Sequence, residues 1–167
     1  AGIAIVCARA GFRTIVYDTR ADALGRAREQ TEAFFQKSVQ RGKLAAKELP
    51  NILQRFEYAT SIDALAPSDL VIEAVFEDLK VKHALFEQIH PLVGEQTIFA
   101  SNTSTISITE IAGGSGRPDR FVGMHFCLPA QLMKLVEMSP GLVTSDHTFE
   151  TAWAFCKALG QNPVRTQ

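Results

Sequence analysis

Residues 69–101, DLVIEAVFEDLKVKHALFEQIHPLVGEQTIFAS, contain the pattern that decides the fold. Residues 69–75 are almost wholly apolar, which is typical of a parallel strand covered on both faces. Apolar residues recur at helical spacing over residues 78–90, and Pro91 stands just beyond them. Residues 97–101 form a second apolar run. The segment therefore predicts two strands connected by a helix, which is the repeating unit of a parallel sheet.

The same alternation continues on both sides of this unit. Upstream, the sequence predicts a helix that ends at Gly11, a strand over 13–18, a long amphipathic helix over 21–41 and a weaker helix over 47–55. Downstream, it predicts a short helix that begins with the capping box of Ser107 and Glu110, strands over 120–126, 135–138 and 163–165, and a helix over 146–159. This order predicts an α/β fold of the Rossmann type, in which a doubly wound, mostly parallel sheet has helices on both faces.

Composition and charge exclude several classes of protein. The 167 residues are 46% hydrophobic and 21% charged, as expected for one globular domain. A net charge of -1 provides no basic field for nucleic acid or an anionic membrane surface. No apolar run approaches the roughly 20 residues that span a bilayer. We therefore expect neither nucleic acid nor a membrane as partner, and a location in the cytoplasm or, in a eukaryote, the mitochondrial matrix.

The three cysteines indicate neither a disulfide framework nor a metal site. Cys7, Cys127 and Cys156 are odd in number, scattered and set in apolar sequence, with no C-x-x-C pair among them. We expect ordinary buried thiols and no bound metal ion.

The first residues have the order of a dinucleotide-binding unit. In such a unit a glycine-rich turn presents the pyrophosphate to a helix N-terminus, and an acid about 20 residues later accepts the ribose hydroxyls. Here a helix without a capping signal starts at Ala1, and Asp18 ends the strand that follows. We therefore expect the first strand and the G-x-G-x-x-G turn to lie upstream, Gly2 to lie beside the cofactor, and Asp18 to bind the ribose.

The residue at position 18 also bears on the choice of cofactor. A carboxylate at Asp18 would repel the 2′-phosphate of NADP, so the sequence favours NAD, although Arg20 stands nearby. The alternative interpretation is that Asp18 ends a strand in an ordinary turn and binds no ligand.

Four further polar residues are predicted to share one edge of the sheet. Asn102, Ser104, His125 and Glu137 fall at or just beyond the carboxyl ends of predicted strands or at their junctions with loops. Open α/β sheets bind their ligands at that edge. Together the four residues supply an imidazole base, a carboxylate that fixes its tautomer, and donors for an oxygen atom. Taken alone, His125 would most often be a surface or packed histidine, and Glu137 could be a solvated side chain.

Several strings in fixed order make the chain similar to a known family. VIEAVFEDLKVKHALF, IFASNTSTISITEIA, MHF-x-x-P and MKLVE resemble the NAD-binding domain of the 3-hydroxyacyl-CoA dehydrogenases, in particular those that act on 3-hydroxybutyryl-CoA. AGIAIVCARAGFRTIVYD resembles the continuation of that family's G-x-G-x-M-G turn. The resemblance implies an NAD-binding domain over residues 1–167, truncated at the glycine-rich turn and lacking the family's C-terminal helical domain.

The resemblance also implies roles for individual residues. His125 would be the catalytic base, Glu137 its carboxylate partner, Ser104 the hydrogen-bond donor to the substrate's 3-oxygen, and Asn102 a residue of the same pocket. Ser104 would also lie against the cofactor.

Three positions outside this group match family residues that bind the two nucleotide ligands. Glu77 and Lys82 match positions that contact the cofactor, although both could be ordinary charges on a solvated helix. Arg41 falls where the family carries a basic residue for the coenzyme A phosphates.

The implied activity is NAD-dependent oxidation of an L-3-hydroxyacyl-CoA to the 3-ketoacyl-CoA, as in fatty-acid β-oxidation or short-chain metabolism. A homodimer formed through the helical domain is implied as well, and residues 1–167 alone are expected to be inactive. The sequence departs from the family at Leu128, because the motif H-F-F-N-P is here His125-Phe126-Cys127-Leu128-Pro129. That departure leaves open a non-catalytic structural protein on the same scaffold, as certain lens crystallins are. Another β-hydroxyacid dehydrogenase is a weaker alternative, because those enzymes usually rely on a lysine base, and the motif positions of this chain do not provide one.

Overall fold

A computed structural model describes residues 1–166 of the chain. Strands and helices alternate along most of its length, as predicted. In chain order the elements are α1 (Gly2–Arg9), β1 (Thr14–Tyr17), α2 (Ala21–Gln40), α3 (Leu49–Leu53), β2 (Phe56–Ala59), β3 (Leu70–Glu73), α4 (Leu79–Ile89), β4 (Ile98–Ser101), α5 (Ile108–Gly113), β5 (Phe121–Phe126), β6 (Leu135–Pro140), α6 (Asp146–Ala158) and β7 (Asn162–Arg165). Single turns of 3₁₀ helix cover Ala46–Glu48, Ile62–Leu65 and Pro118–Arg120.

Strand pairs are mostly parallel, and among residues 1–166 only the pair of β5 and β6 is antiparallel. The larger sheet has the order β3-β4-β5-β6-β7, while β1 and β2 pair with each other in a second sheet. The division into two sheets differs from the single sheet predicted, because within residues 1–166 no strand hydrogen-bonds to both β1 and β3. The sequence analysis also assigned no strand to Phe56–Ala59, which pairs with β1.

Apolar side chains cover both faces of the larger sheet, as expected for parallel strands with helices on either side. All four residues of β4 are buried. Ile98 and Ala100 belong to one apolar cluster with residues of α6, whereas Phe99 belongs to a second cluster with residues of α4 and α5. In that second cluster the ring of Phe86 lies 4.9 Å from the ring of Phe99. The doubly wound α/β architecture is therefore confirmed.

Helix starts near the sheet are fixed by side-chain caps. The Asp78 carboxylate accepts from the Val81 amide at 3.1 Å at the start of α4. The Ser107 hydroxyl caps α5 by accepting from the Glu110 amide, as the capping box predicts. Because α4 follows β3 and α5 follows β4, these caps define where the chain turns at the carboxyl edge of the sheet.

Candidate active site

His125 and Glu137 face each other on two adjacent strands. They are directly paired in the antiparallel register of β5 and β6. Side chains that oppose each other across an antiparallel pair point to the same face of the sheet. The Nδ1 atom of His125 lies 2.8 Å from Oε2 of Glu137, and their side chains are 31% and 44% exposed. The imidazole is thus oriented by a carboxylate and remains accessible from outside.

The position of Glu137 corrects one detail of the sequence analysis. The residue is the third of the six residues of β6 and does not lie at a carboxyl strand end. It still reaches the ligand edge because β6 runs antiparallel to β5, so the beginning of β6 lies beside the end of β5.

Asn102 connects the ends of three strands. It directly follows β4, and its backbone amide donates to the Glu73 carbonyl at the end of β3 at 2.8 Å. Its side-chain Oδ1 accepts from the amide of Phe126, the last residue of β5, also at 2.8 Å. Asn102 therefore fixes the backbone directly after His125, which is a supporting role beside the pair.

Ser104 lies in a loop that is held by the Glu77 carboxylate. Oε1 of Glu77 accepts from the amides of Ser104 and Thr105 at 3.2 Å each, from the Thr105 hydroxyl at 3.0 Å and from the Thr103 hydroxyl. Burial acts to raise the pKa of Glu77, but hydrogen bonds from Thr103, Lys82 and Thr105 outweigh it and lower the pKa to about 2. The exposed Ser104 hydroxyl forms no hydrogen bond within the described part of the chain.

Lys82 is buried, so the interpretation of an ordinary charge on a solvated helix is wrong for this residue. Its side chain is 1% exposed, and its Nζ lies 2.7 Å from Oε1 of Glu73 and 3.2 Å from Oε2 of Glu77. Glu73 is equally buried and was missed as a site residue. A charged residue inside the apolar run of β3, nine positions before a lysine at the start of a helix, is the signal that could have revealed it.

The N-terminus of α1 fits the phosphates of a dinucleotide. No side chain caps this helix and its first turn contains no acid, so the first amides are free to donate and no carboxylate repels an anion. A side chain built on Gly2 would come within 2.8 Å of Gln131 Oε1 and 3.5 Å of Ala130, in the loop that follows β5. The start of α1 therefore lies against the loop that follows β5, while Val6 and Cys7 of α1 pack on the face of the sheet opposite His125.

Asp18 directly follows β1, as predicted. Its Oδ1 accepts from the Arg20 amide at 2.9 Å, which leaves Oδ2 available to a sugar hydroxyl. The Arg20 guanidinium is engaged by the Asp22 carboxylate, at 3.1 Å from Nε and 2.6 Å from Nη2. A free carboxylate oxygen on Asp18 and an Arg20 side chain already paired with Asp22 thus suit a dinucleotide without a 2′-phosphate.

Arg41 and Leu128 form none of the side-chain hydrogen bonds described above. Arg41 is exposed at the C-terminal cap of α2, about 30 Å along a 20-residue helix from its start. The length of α2 therefore separates Arg41 from Asp18, which stands just before the helix begins. Leu128 is 74% exposed in the loop after β5.

Two of the three cysteines are buried, as expected. Cys7 and Cys156 are buried, and burial raises the pKa of each thiol to about 12. Cys127 is only partly buried, which corrects its expected burial. Within residues 1–166 no three potential ligands cluster as a metal site would require. In the same range, no helix has the length and apolar character needed to cross a bilayer.

Comparison with known proteins gives one consistent family. The family model described as "3-hydroxyacyl-CoA dehydrogenase, NAD binding domain" matches residues 1–167. The 3-hydroxyadipyl-CoA dehydrogenase of Escherichia coli K12 is 44% identical over 99% of this chain, and a probable 3-hydroxybutyryl-CoA dehydrogenase of Deinococcus radiodurans is 40% identical over 98%. The crystal structure of a 3-hydroxybutyryl-CoA dehydrogenase from Escherichia coli K12 superimposes with a TM-score of 0.95, covers 98% of this chain and is 44% identical.

The chain corresponds to only part of each of these proteins. It spans 35% of the length of the first relative, 58% of the second and 35% of the crystallised protein. The match to the family model nevertheless extends over every residue of the chain. By its motifs, its fold and this match, the chain belongs to the 3-hydroxyacyl-CoA dehydrogenase family, as its NAD-binding domain.

Proposed function

We propose that the protein oxidises an L-3-hydroxyacyl-CoA to the 3-ketoacyl-CoA with NAD, and that short-chain substrates such as 3-hydroxybutyryl-CoA are preferred. The observation that carries this proposal is the hydrogen bond of 2.8 Å between His125 and Glu137 at the ligand edge of the sheet. A protein that served only as a scaffold would not need a base and a carboxylate paired across two strands at that edge.

The pair supports proton abstraction from a hydroxyl group. Because Glu137 accepts at Nδ1 of His125, the tautomer we assign has its proton on Nδ1 and leaves Nε2 free to act as the base. His125 would take the proton of the 3-hydroxyl group, and Glu137 would stabilise the imidazolium that forms. The free Ser104 hydroxyl would hold the same oxygen.

Residues at the same edge would hold NAD, which when bound supplies the acceptor for the hydride of carbon 3. The amides at the start of α1, including Gly2, would bind the pyrophosphate, and the Asp18 carboxylate would bind the ribose hydroxyls. Glu77 is partly exposed and could contact the cofactor directly. Lys82 is buried, so we assign it an effect through Glu77.

Three further expectations concern the whole protein. Arg41 would bind a coenzyme A phosphate, which requires that the acyl-CoA extend along α2. A homodimer through a helical domain outside residues 1–167 would be the assembled form. We propose a cytoplasmic location, or the mitochondrial matrix in a eukaryote, in keeping with relatives that are named mitochondrial, such as the rat hydroxyacyl-coenzyme A dehydrogenase.

The proposal is tested by adding acetoacetyl-CoA and NADH to the full-length protein and following the loss of NADH absorbance. We expect His125→Gln to lower kcat by at least about 100-fold, which lies within the range of a general base, while NAD affinity stays within about twofold. The matched control is His147→Gln, because His147 is exposed in the first turn of α6. An inactive parent protein, or an active His125→Gln variant, would contradict the proposal.

A further inference from the structure

The carboxylate of Glu73, the last residue of β3, is buried, and both of its oxygens accept hydrogen bonds. The Glu73 side chain is 0% exposed, and its two oxygens accept from the Val75 amide at 2.7 Å, Lys82 Nζ at 2.7 Å and the Ser101 hydroxyl at 2.6 Å. Because removal of a carboxylate and an ammonium from water is costly, a buried ion pair contributes little to stability compared with an apolar pair of the same size. The burial of this pair therefore calls for an explanation other than stability.

The ion pair extends towards the site through its lysine. Lys82 Nζ bridges from Glu73 to Oε2 of Glu77, at 3.2 Å, and the Glu77 side chain is 37% exposed. One oxygen of Glu77 is thereby fixed by the buried lysine. The other oxygen is left to accept from the loop that follows β4.

That loop carries Ser104, and its backbone is held by Glu77 together with the Thr103 hydroxyl, which accepts from the Thr105 and Ile106 amides. Oε1 of Glu77 accepts from the Ser104 and Thr105 amides at 3.2 Å each. No described hydrogen bond restrains the Ser104 hydroxyl, so its placement depends on the backbone that Glu77 holds. A continuous chain of contacts thus connects the interior of the sheet with a residue at the ligand edge.

We infer that Glu73 is a positioning residue, which acts through Lys82 and Glu77 to hold the backbone of Ser104 where its hydroxyl can meet the substrate oxygen. The role of the Ser104 hydroxyl rests on the proposed function, whereas the restraint on the loop does not. An apolar pair in place of Glu73 and Lys82 would fill the same space, yet it would leave Glu77 free to rotate into solvent.

The test replaces the ion pair with an uncharged pair of similar volume. In the full-length protein, the double variant Glu73→Gln/Lys82→Met avoids an unpaired buried charge, so we expect the thermal midpoint to stay near that of the parent. Amide hydrogen exchange at Ser104 and Thr105 should become at least about tenfold faster, because both amides lose a fixed acceptor. We expect kcat to fall by about 10- to 100-fold, as for a misplacement of about 1 Å.

A matched control is Glu57→Gln, which makes the same chemical change in an exposed ion pair. Glu57 pairs with Arg13 at 2.8 Å on the β1–β2 sheet. This variant should leave hydrogen exchange at residues 103–105 and kcat unchanged.

A double variant that keeps the parent's exchange rates and kcat would overturn the inference, because the loop would then hold its position without the ion pair. If the double variant does not fold, Glu77→Gln tests the same chain of contacts at its exposed member. Unchanged hydrogen exchange at Ser104 in that variant would also overturn the inference. A parent without hydroxyacyl-CoA activity refutes the proposed function alone, because the exchange measurement needs no substrate.

Discussion

Replacement of Glu137 by glutamine measures how much the carboxylate contributes to the proposed proton transfer. The change keeps the size of the side chain and removes the negative charge 2.8 Å from His125 Nδ1. At a charge separation of about 3 Å, the attraction to an imidazolium is about 1.4 kcal/mol in water and about 5.5 kcal/mol at an effective dielectric constant of about 20. Because the side chains are 31% and 44% exposed, a value nearer the lower limit is expected, about 2 to 3 kcal/mol. That energy corresponds to a kcat lower by about 30- to 150-fold.

The assay is steady-state oxidation of 3-hydroxybutyryl-CoA by the full-length protein at saturating NAD, with calorimetry to confirm that NAD still binds. Glu150→Gln is the control, because Glu150 is an exposed acid on α6. A Glu137→Gln variant whose kcat stays within about threefold of the parent, a difference of about 0.7 kcal/mol, would refute the assignment of Glu137 as the partner that stabilises the imidazolium.

Three other changes test separate features. Asp22→Asn frees the Arg20 guanidinium, so the affinity for NADP relative to NAD should rise by up to about fivefold, the small gain expected from an exposed ion pair. An unchanged ratio of the two affinities, measured by calorimetry, would contradict this prediction. The pKa of Glu77 is lowered from 4.5 to about 2, so its charge stabilises the fold above about pH 4.5 and this stabilisation is lost as the pH falls towards 2. The difference in thermal midpoint between the parent and Glu77→Gln should therefore disappear over that pH range. A difference that stays constant would contradict this prediction. Gly123→Ala places a methyl group 2.7 Å from Ile108 Cδ1 and should lower the free energy of unfolding in urea by about 1 to 3 kcal/mol, whereas a loss below about 0.5 kcal/mol would show that the core can adjust.

Local sequence patterns were sufficient for most of the fold. Helices α4 and α5 begin where the capping side chains of Asp78 and Ser107 predict, because an N-terminal cap depends on residues within one turn. The strand predicted over residues 69–75 is shorter and ends at Glu73. There the Glu73 carboxylate takes the Val75 amide, so this hydrogen bond no longer serves a neighbouring strand. Periodicity cannot report such a competition between a side chain and the sheet.

The residues of the candidate site could be predicted from the sequence, whereas the contacts between their side chains could not. His125, Glu137 and Ser104 were identified from residue types in recognisable motifs, and their functional roles stay predictions. The direct pairing of His125 with Glu137 depends on β6 running antiparallel to β5, and no sequence pattern specifies strand direction. The burial of Lys82 was missed because a lysine at the start of an amphipathic helix is ordinarily solvated, and only the fold brings Glu73 beneath it.

The antiparallel register of β5 and β6 makes the spacing of His125 and Glu137 independent of the loop between the two strands. Main-chain hydrogen bonds set the spacing of His125 and Glu137, and the Cys127 amide closes the intervening loop at its base by donating to the Leu135 carbonyl at 3.1 Å. The exposed residues of this loop, Leu128, Leu132 and Met133, can therefore change while His125 and Glu137 keep their distance. Variation in this hairpin loop thus leaves the spacing of His125 and Glu137 unchanged.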